Sequence, residues 1–284
     1  MIRTHTMNFR NRQVIFDTPK VMGILNVTPD SFSDGGKFRE LELAIRQAES
    51  MVKAGATFID VGGESTRPGA KAVALNEELD RVIPVIEKIS NELDVVVSVD
   101  TSKAQVMTEA VQSGAGMIND VRALRNEGAL RAAINAAKDF NVPSCLMHMQ
   151  GEPLSMQDEP QYHGVVEEVM DFFEQRIEEC EKAGLERRYI LIDPGFGFGK
   201  TLDHNYQLLK HIQQFNRFKI PVLVGMSRKS MIGNLLNREV NQRLAGNIAT
   251  ATIAATAGVE IIRVHDVVET MDAIKIVNKL QSIE

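Results

Sequence analysis

The stretch GILNVTPDSFSDGG, from Gly23 to Gly36, changes character halfway along, and it sets the interpretation of the whole chain. Its first residues complete an apolar run, VMGILNV, that is typical of a strand buried on both faces. Thr28, Pro29 and Asp30 end that run, and two serines, a second aspartate and a glycine pair follow in place of a helix start. A buried strand that leads into a polar loop predicts a functional loop at its carboxyl end.

The same pattern, an apolar run followed by a helical segment, recurs along the chain. The apolar runs occupy residues 21–27, 58–61, 95–99, 116–121, 143–149, 189–193, 222–226 and 261–267. Segments with apolar residues three and four apart separate them, as at 41–54, 77–92 and 164–183. Continuous apolar strands alternating with helices predict a parallel sheet covered on both faces. Eight such units in about 260 residues predict an α/β fold of the (β/α)₈ TIM barrel type, with a doubly wound open sheet as the alternative.

Residues 7–17 precede the first unit and predict a short β-hairpin that turns at Arg10–Asn11 and caps the bottom of the barrel. No linker, low-complexity tract or shift in composition divides the chain. With 284 residues, 44% of them hydrophobic, the chain is long enough to bury a full core. We therefore expect a single domain over residues 1–284.

The bulk composition argues against several classes of partner. The formal net charge is −6 and no long block of Lys or Arg occurs, which argues against a nucleic acid or a membrane surface as the main partner. The beginning of the chain lacks a signal-type apolar stretch, and no run of about 18 apolar residues occurs. Cys145 and Cys180 have the spacing of neither a disulfide framework nor a metal site, which suits a reducing compartment. We expect a cytoplasmic protein.

A barrel of this type carries its chemistry at the carboxyl ends of its strands. Every predicted strand ends there in polar groups, which are Asn26, Glu64 with Thr66, Asp100, Asn119 with Asp120, His148, Asp193, Ser227 with Arg228 and Lys229, and Arg263 with His265. Taken singly, an aspartate before TSKA or before Pro-Gly is explained as a helix cap or a turn former. Capping does not explain Asn26, Lys229, or the pair Arg263 and His265, which share one face of a strand.

These groups match the two parts of a particular kind of ligand. Two separated carboxylates, an amide and a lysine in a mostly apolar tube can frame a planar, nitrogen-rich heterocycle, since carboxylates accept from its N–H edges and the lysine donates to its carbonyl and ring nitrogen. Arg263, His265 and Asn26 form a second group suited to an anion, and an asparagine oxygen beside phosphate oxygens suits Mg²⁺. The residues predict a site for a heterocycle with a phosphate-bearing arm, and they contain no nucleophile–base triad or zinc cluster.

Eight motifs in order also carry a resemblance to a known family: GILNVTPDSFSDGG, IDVGGESTRPGA, SVDTSK, INDV, LMHMQG, DPGFGFGK, GMSRKS and RVHDV. From about Val21 to Val267 the chain resembles the dihydropteroate synthases, pterin-binding TIM-barrel enzymes. The resemblance implies a transferase of folate biosynthesis that condenses (7,8-dihydropterin-6-yl)methyl diphosphate with 4-aminobenzoate to 7,8-dihydropteroate and pyrophosphate. It also implies Mg²⁺ as cofactor, a homodimer, and competition by sulfonamides, which mimic aminobenzoate.

The resemblance assigns the site residues as follows. The pterin is expected to bind at Asp100, Asn119, Met147, Asp193, Gly225 and Lys229. The pyrophosphate is expected at Asn26, Arg263 and His265, with Asn26 as the metal ligand. The aminobenzoate is expected at Thr66, Arg67, Pro68, Phe198 and Ser227. The catalytic set is Asn26, Asp100, Asp193, Lys229, Arg263 and His265.

The expected mechanism needs no strong base, because an arylamine is already a neutral nucleophile. Arg263, His265 and Mg²⁺ stabilise the departing pyrophosphate, and Asp100 and Asp193 stabilise the pterin cation that forms as the bond breaks. Residues 28–39 then act as a lid that keeps water from this cation, together with the loop 64–73. The lid residues are Thr28, Asp30, Ser31, Phe32 and Asp34.

Three other functions stay open on the sequence alone. A pterin-binding methyltransferase of the methyltetrahydrofolate:corrinoid type should lack the pair Arg263 and His265 and the motif TRPG, and a non-catalytic pterin-binding homologue should lose the lid. An aldolase-type barrel with a Schiff base on Lys229 is a remote third, since no proton-relay set accompanies that lysine.

One motif resembles a nucleotide site without being one. The motif GFGFGKT is not a phosphate-binding loop, since Pro194 stands where that pattern needs glycine. Its glycines are expected to bring the loop close to the pterin, with Phe198 as a packing wall. His148 is expected to line the pocket floor with a structural role.

Overall fold

The computed structural model describes residues 4–28, 36–65, 72–151 and 160–283 of the chain. A pair of antiparallel strands comes first, β1 (His5–Phe9) and β2 (Arg12–Phe16). Eight parallel strands follow in the described residues: β3 (Lys20–Asn26), β4 (Phe58–Gly62), β5 (Val96–Asp100), β6 (Met117–Asp120), β7 (Ser144–Met147), β8 (Ile190–Asp193), β9 (Leu223–Val224) and β10 (Ile261–Val264). The α-helices described are α1 (Gly36–Lys53), α2 (Leu75–Glu92), α3 (Ala104–Gln112), α4 (Ala129–Phe140), α5 (Val165–Ala183), α6 (Leu202–Lys210), α7 (Ser230–Leu236), α8 (Leu244–Thr256) and α9 (Val267–Gln281).

The parallel strands close into a barrel. Hydrogen-bonded neighbours follow the order β8-β7-β6-β5-β4-β3-β10-β9, so the first barrel strand lies beside the last strand of the chain. The two ends of this order meet where Ile192 pairs with Val222 and its N–H donates to the carbonyl oxygen of Pro221 at 3.1 Å. The closure confirms the predicted (β/α)₈ barrel and rules out the open sheet, whose edge strands stay unpaired.

Strand β4 shows how one strand serves both the barrel interior and the surrounding helices. Phe58 belongs to the apolar cluster at the bottom of the barrel, whereas Ile59 and Val61 belong to the larger core between the sheet and the helices. Because side chains alternate along a strand, Asp60 and Gly62 point the same way as Phe58, into the barrel. The carboxyl half of the interior therefore receives polar side chains and its amino half apolar ones.

The hairpin closes the amino-terminal end of the barrel, as predicted. It turns at Arg10–Asn11, where Arg10 has a φ of 60°. Its inward side chains pack against the innermost apolar residues of the barrel strands, and they are Met7, Phe9, Val14 and Phe16. The rings of Phe9 and Phe58 meet edge to face with centroids 5.0 Å apart. Burial of each phenylalanine contributes about 1.5–3 kcal/mol, so this end is a packed plug and the opposite end remains for chemistry.

The described helices include none that is long and apolar enough to cross a membrane. Cys145 and Cys180 are both free and buried. Burial raises the pKa of both thiols, to about 11 for Cys180. They are therefore packing residues rather than nucleophiles.

Candidate active site

Asp60 is the centre of a buried polar network at the carboxyl end of the barrel. Its side chain is fully buried, and its Oδ2 accepts from Arg263 Nε at 2.6 Å and from Asn119 Nδ2 at 3.1 Å. Arg263 also donates from Nη2 to Asp100 Oδ2 at 2.8 Å. The sequence interpretation named three of these four residues and missed Asp60. A carboxylate inside the apolar run FIDV was the available signal, because a buried aspartate needs a partner.

The negative charge of Asp60 affects the neighbouring carboxyl of Asp100. Burial raises the pKa of Asp100 to about 7, the negative charge of Asp60 adds to the rise, and Arg263 opposes it. Burial disfavours the charged guanidinium of Arg263, but Asp60 and Asp100 outweigh that cost and hold its pKa above the usual value. The sequence interpretation grouped Arg263 with the anion site, whereas its guanidinium lies between two carboxylates of the interior.

Asp193 and Lys229 form a second charged group in the barrel interior. Asp193 is buried and its Oδ1 accepts from the N–H of Gly195 at 2.8 Å. Burial raises the pKa of Asp193, and the positive charge of Lys229 is the largest of the effects that lower it. Burial lowers the pKa of Lys229 to about 8, and Asp193 counteracts it. The Lys229 ammonium donates to the carbonyl oxygen of Phe196 and lies 4.5 Å from the centre of the Phe198 ring.

Two glycines keep the space between these groups open. A Cβ on Gly62 would lie 3.5 Å from Asp100 Cβ and 3.7 Å from Asn26 Oδ1. A Cβ on Gly225 would lie 3.7 Å from Arg263 Cβ and 3.9 Å from the Lys229 ammonium nitrogen. Any side chain longer than alanine at either position would enter the chamber that the charged groups surround. Gly225 thus lies where the sequence interpretation expected a pterin-contacting residue.

An apolar wall borders the same chamber. Its members form a cluster separate from both cores, and they are Val121, Met147, Met149 and Phe198. Each is buried at the carboxyl end of the barrel, on the strands β6, β7 and β8 or the loops that follow them. An apolar wall with a few convergent polar groups is the usual architecture of a small-molecule site, and it suits a flat ring. Met147 and Phe198 were both expected here.

His265 and Ser227 form a pair at the ends of the last two strands. The His265 backbone N–H donates to Ser227 Oγ at 3.2 Å, and Ser227 Oγ lies 3.0 Å from His265 Nδ1. If the hydroxyl donates to Nδ1, the neutral imidazole carries its proton on Nε2. Arg228, between Ser227 and Lys229, has a φ of 62°, and its guanidinium pairs with Asp266 at 2.6 Å.

Two other strand-end carboxylates also have structural partners. Glu64 accepts from the ammonium of Lys103. Asp120 accepts from the backbone N–H groups of Arg122 at 2.8 Å and Leu124 at 2.7 Å, which makes it a turn former. The turn-former explanation therefore holds for Asp120, whereas Glu64 is held by an ion pair.

Several predicted positions are outside the described residues. They are the lid residues Asp30, Ser31, Phe32 and Asp34 and the aminobenzoate residues Thr66, Arg67 and Pro68. Thr28, the first lid residue, is half-buried just after β3. Asn26 ends β3, beside Gly62 and near Asp100. Among the residues that the structure describes, no group of three or more His, Cys, Asp or Glu side chains could hold a metal ion.

The chain matches the family model described as "Pterin binding enzyme" over residues 22–265. It is 55% identical to the dihydropteroate synthase of Escherichia coli strain K12 over 259 residues, which cover 91% of this chain and 90% of the relative. It is 49% identical to that of Haemophilus influenzae, covering 94% of this chain and 95% of the relative.

Solved structures agree with these relatives. The Yersinia pestis dihydropteroate synthase in a sulfonamide complex superposes with a TM-score of 0.93 at 52% identity, covering 98% of this chain and all of that one. The Xanthomonas albilineans dihydropteroate synthase with 4-aminobenzoic acid superposes with a TM-score of 0.92 at 47% identity, covering 99% of this chain and all of that one. The similarity therefore extends over the barrel and every described part of the site.

Proposed function

This chain belongs to the family of pterin-binding enzymes and acts as a dihydropteroate synthase, and we propose how its residues divide that reaction. The observation that carries the proposal is the chamber itself. Asp60, Asp100 and Arg263 form one polar group, Asp193 and Lys229 form a second one that reaches Arg263 at Gly225, and an apolar wall borders the same chamber. Such a chamber accepts a flat heterocycle edge-on to two sets of polar groups.

The heterocycle is the pterin ring, and its edges meet groups of opposite hydrogen-bonding character. Asp100 and Asp193 accept from ring N–H groups, and Lys229 donates to the ring carbonyl and nitrogen. Asn119 donates through Nδ2 to Asp60, so its amide oxygen remains to accept from the ring. Asp60 does not contact the ligand. It acts through Asn119 and Arg263, which its hydrogen bonds hold in place.

The diphosphate arm lies toward Asn26, Arg263 and His265. Arg263 uses Nε and Nη2 on the two carboxylates, and a guanidinium has five N–H donors, so donors remain for a phosphate oxygen. His265 can present Nε2–H, with Nδ1 engaged by Ser227. These donors stabilise the charge that develops on the leaving group.

A magnesium ion fits this arm. Asn26 Oδ1 and Asp100 Oδ2 would lie 3.7 and 3.8 Å from a Cβ on Gly62, so both oxygens border one small space. Hard oxygen donors of this kind suit Mg²⁺, which takes few protein ligands when phosphate and water complete its shell. Bound Mg²⁺ supplies positive charge to the diphosphate oxygens.

The reaction exchanges one bond for another at the pterin methylene carbon. The carbon–oxygen bond to diphosphate breaks, the carbon–nitrogen bond to the arylamine forms, and the amine loses one proton. Asp100 and Asp193 stabilise the positive charge that spreads into the ring as the leaving group departs. The substitution therefore has dissociative character.

The aminobenzoate lies beyond Phe198 and Ser227, with the loop that contains Thr66, Arg67 and Pro68. A relative of this chain is solved with 4-aminobenzoic acid and another with a sulfonamide, which supports the same subsite here and competition by sulfonamides. We expect aminobenzoate to bind second, after the pterin and its diphosphate. The two ligands should then strengthen each other by about 1–3 kcal/mol. Equal aminobenzoate affinity with and without pyrophosphate, Mg²⁺ and a pterin would contradict this order.

The surface of α7 and α8 supports a homodimer of single-domain subunits. Large apolar side chains are exposed there and on the segment between them, and they are Leu235, Leu236, Val240, Leu244 and Ile253. A second copy of the same surface is the partner that would cover them. Sedimentation should give twice the mass of the chain, and a Leu235→Glu variant should shift this mass to that of the monomer.

A cytoplasmic location stays a prediction.

The test measures pyrophosphate release in the presence of both substrates and of each alone. Lys229→Met should weaken both turnover and the affinity for a pterin that lacks the diphosphate, because it removes the donor to the ring. His265→Ala should lower turnover and spare that affinity, because His265 meets only the anion. His211→Ala, a half-buried histidine away from the site, is the control. Equal loss of pterin affinity in the Lys229 and His265 variants would contradict the division into two groups.

A further inference from the structure

Lys200 is a buried amine that no step of the reaction above uses; burial lowers its pKa well below the usual value, and the negative charge of Asp193 counteracts that. It ends the motif DPGFGFGK after β8, and only 3% of its surface is exposed. Its Nζ lies 2.9 Å from each of three acceptors: the carbonyl oxygens of Gly195 and Phe198 and the Nδ1 of His148. An ammonium has three N–H donors, so these acceptors match its capacity. Three acceptors converging on one buried amine are a specific arrangement, because an unpaired buried amine would be costly.

His148 is suited to be the third acceptor. Burial lowers its pKa well below the usual value, with the positive charge of Lys200 as the next cause. The imidazole is therefore neutral near pH 7, and Nδ1 can accept from the lysine. The ring of Phe172 meets it edge to face, with centroids 5.0 Å apart, and restricts its orientation. The same lysine lies 3.4 Å from the carbonyl oxygen of His148.

The loop on this lysine has an unusual backbone. Gly195, Gly197 and Gly199 have φ values of 71°, 79° and 61°, so every second residue is left-handed. A Cβ on Gly195 would lie 1.9 Å from the carbonyl oxygen of His148, and one on Gly199 would lie 2.3 Å from that of Gln150. The loop therefore lies directly on the chain that leaves β7. Side chains are excluded there, and hydrogen bonds to carbonyl groups are what remain to hold the two segments together.

The other side of the same loop contacts Lys229. The carbonyl oxygen of Phe196 accepts from the Lys229 ammonium, and the Phe198 ring lies 4.5 Å from that ammonium. A Cβ on Gly197 would lie 3.1 Å from Lys229 Cδ. One short loop thus separates two lysines, with Lys200 bound on its outer side and Lys229 on the chamber side.

We propose that Lys200 is a positioning residue for the pterin site. By binding the carbonyl groups of Gly195 and Phe198, it fixes the loop that presents the Phe196 carbonyl oxygen and the Phe198 ring to Lys229. It touches neither substrate, and it acts through the loop, while its positive charge also favours the ionised form of Asp193. The inference rests on the proposed role of Lys229 at the pterin ring.

The experiment compares Lys200→Met with the unaltered enzyme. Methionine keeps the length and apolar stem of the side chain and removes all three donors. The expected result is a rise of about ten- to a hundredfold in KM for the pterin diphosphate, since misplacement of binding groups by about 1 Å has effects of that size. A double-mutant cycle with Phe198→Ala should be strongly non-additive, because both changes remove the same positioned ring.

A matched control separates positioning from stability. Arg10→Met removes another cation that donates to a carbonyl oxygen, that of Val111 at 2.6 Å, at the opposite end of the barrel. It should lower the unfolding temperature without changing KM. If Lys200→Met lowers the unfolding temperature and leaves KM unchanged, the lysine only stabilises the fold and the proposal is wrong.

A second pair of variants covers the case in which Lys200→Met does not fold. His148→Leu removes one acceptor, and His148→Asn keeps an oxygen close to the position of Nδ1. KM should rise in the leucine variant and largely recover in the asparagine variant, and equal KM values in the two would contradict the proposal.

Lys229→Met tests the proposed role of Lys229 at the pterin ring, on which this inference rests. If that variant keeps its pterin affinity, the role of Lys229 is wrong; if only the Lys200 and His148 variants lack an effect, the positioning role alone is wrong.

Discussion

Asp60→Asn is the most informative single change, because it removes one charge from the buried network and keeps its shape. Both hydrogen bonds to Asp60 end on Oδ2, whereas Oδ1 is buried without a hydrogen-bond partner. An asparagine can keep its oxygen at the Oδ2 position and must then place its NH₂ where Oδ1 was. The change therefore weakens a charge-assisted bond to Arg263 and adds an unpaired buried donor.

The expected loss of stability follows from those two effects. A hydrogen bond to a charged group contributes about 1.5–3 kcal/mol, and an unsatisfied buried donor costs about 1–3 kcal/mol. Arg263 keeps Asp100 as its second partner at 2.8 Å, and removal of a buried charge offsets part of the loss. We expect a net destabilisation of about 2–3 kcal/mol. Asp60→Ala, which removes both bonds, should cost about 3–5 kcal/mol.

The loss should also depend on pH, through Asp100. Its folded-state pKa of about 7 exceeds the usual 3.8, so between these values the folded protein keeps a proton that the unfolded chain releases. The stabilising contribution of this group is full below pH 4 and is lost as the pH rises toward 7. Asp60 raises the pKa of Asp100, so Asp60→Asn should lower the pKa of Asp100. The stability of the variant should then stop falling at a lower pH than the stability of the unaltered protein. The deficit of the variant should therefore shrink between about pH 5 and pH 7.5.

Urea unfolding from pH 4.5 to 8 measures both effects. Asp272→Asn, an exposed aspartate paired with Lys275 at 3.1 Å, is the control and should change stability by less than about 0.5 kcal/mol at any pH. A variant as stable as the unaltered protein would show that Arg263 does not depend on Asp60. A deficit that stays constant with pH would show that Asp100 is not the group that Asp60 perturbs.

Three further predictions concern other buried groups. Asp193→Asn should weaken the binding of a pterin analogue by about 2–4 kcal/mol in calorimetry, because an amide donor then faces a ring N–H; unchanged affinity would remove Asp193 from the site. Glu260 has a pKa raised to about 7 by burial, so its stabilising contribution is lost as the pH rises from 4.5 to 7. Glu260→Gln should therefore be more stable than the unaltered protein at pH 8 in urea unfolding, and a less stable variant would contradict this. Cys145 and Cys180 should react with a thiol reagent only after unfolding, and rapid reaction in the folded protein would show that one is accessible.

The sequence alone was sufficient for the architecture, for reasons that are local. Eight apolar runs separated by helical segments determine strand number and parallel pairing, and a hairpin pattern before them determines the plug at the bottom. Periodicity could place Asp100, Asn119 and Asp193 at the carboxyl ends of their strands and Lys229 in the segment after β9, and their contacts with a substrate stay predictions. A position at the end of a strand did not by itself distinguish residues of the site from residues with a structural role. Asp120 occupies such a position and stabilises a backbone turn, and Arg228 occupies another and pairs with Asp266.

The tertiary structure decided which polar groups pair. Arg263 and Asp60 are 203 residues apart, and only closure of the barrel between β3 and β10 brings their strands into one interior. Their pairing places Arg263 between two carboxylates, although its strand position predicted an anion site alone. In the sequence, Lys200 is only the last residue of a glycine-rich motif. Its contact with His148, which lies in the segment after β7, exists only in the folded protein. The residue types and their order along the strands are properties of the sequence. The partner of each buried charge depends on which strands become neighbours, and no local pattern contains that information.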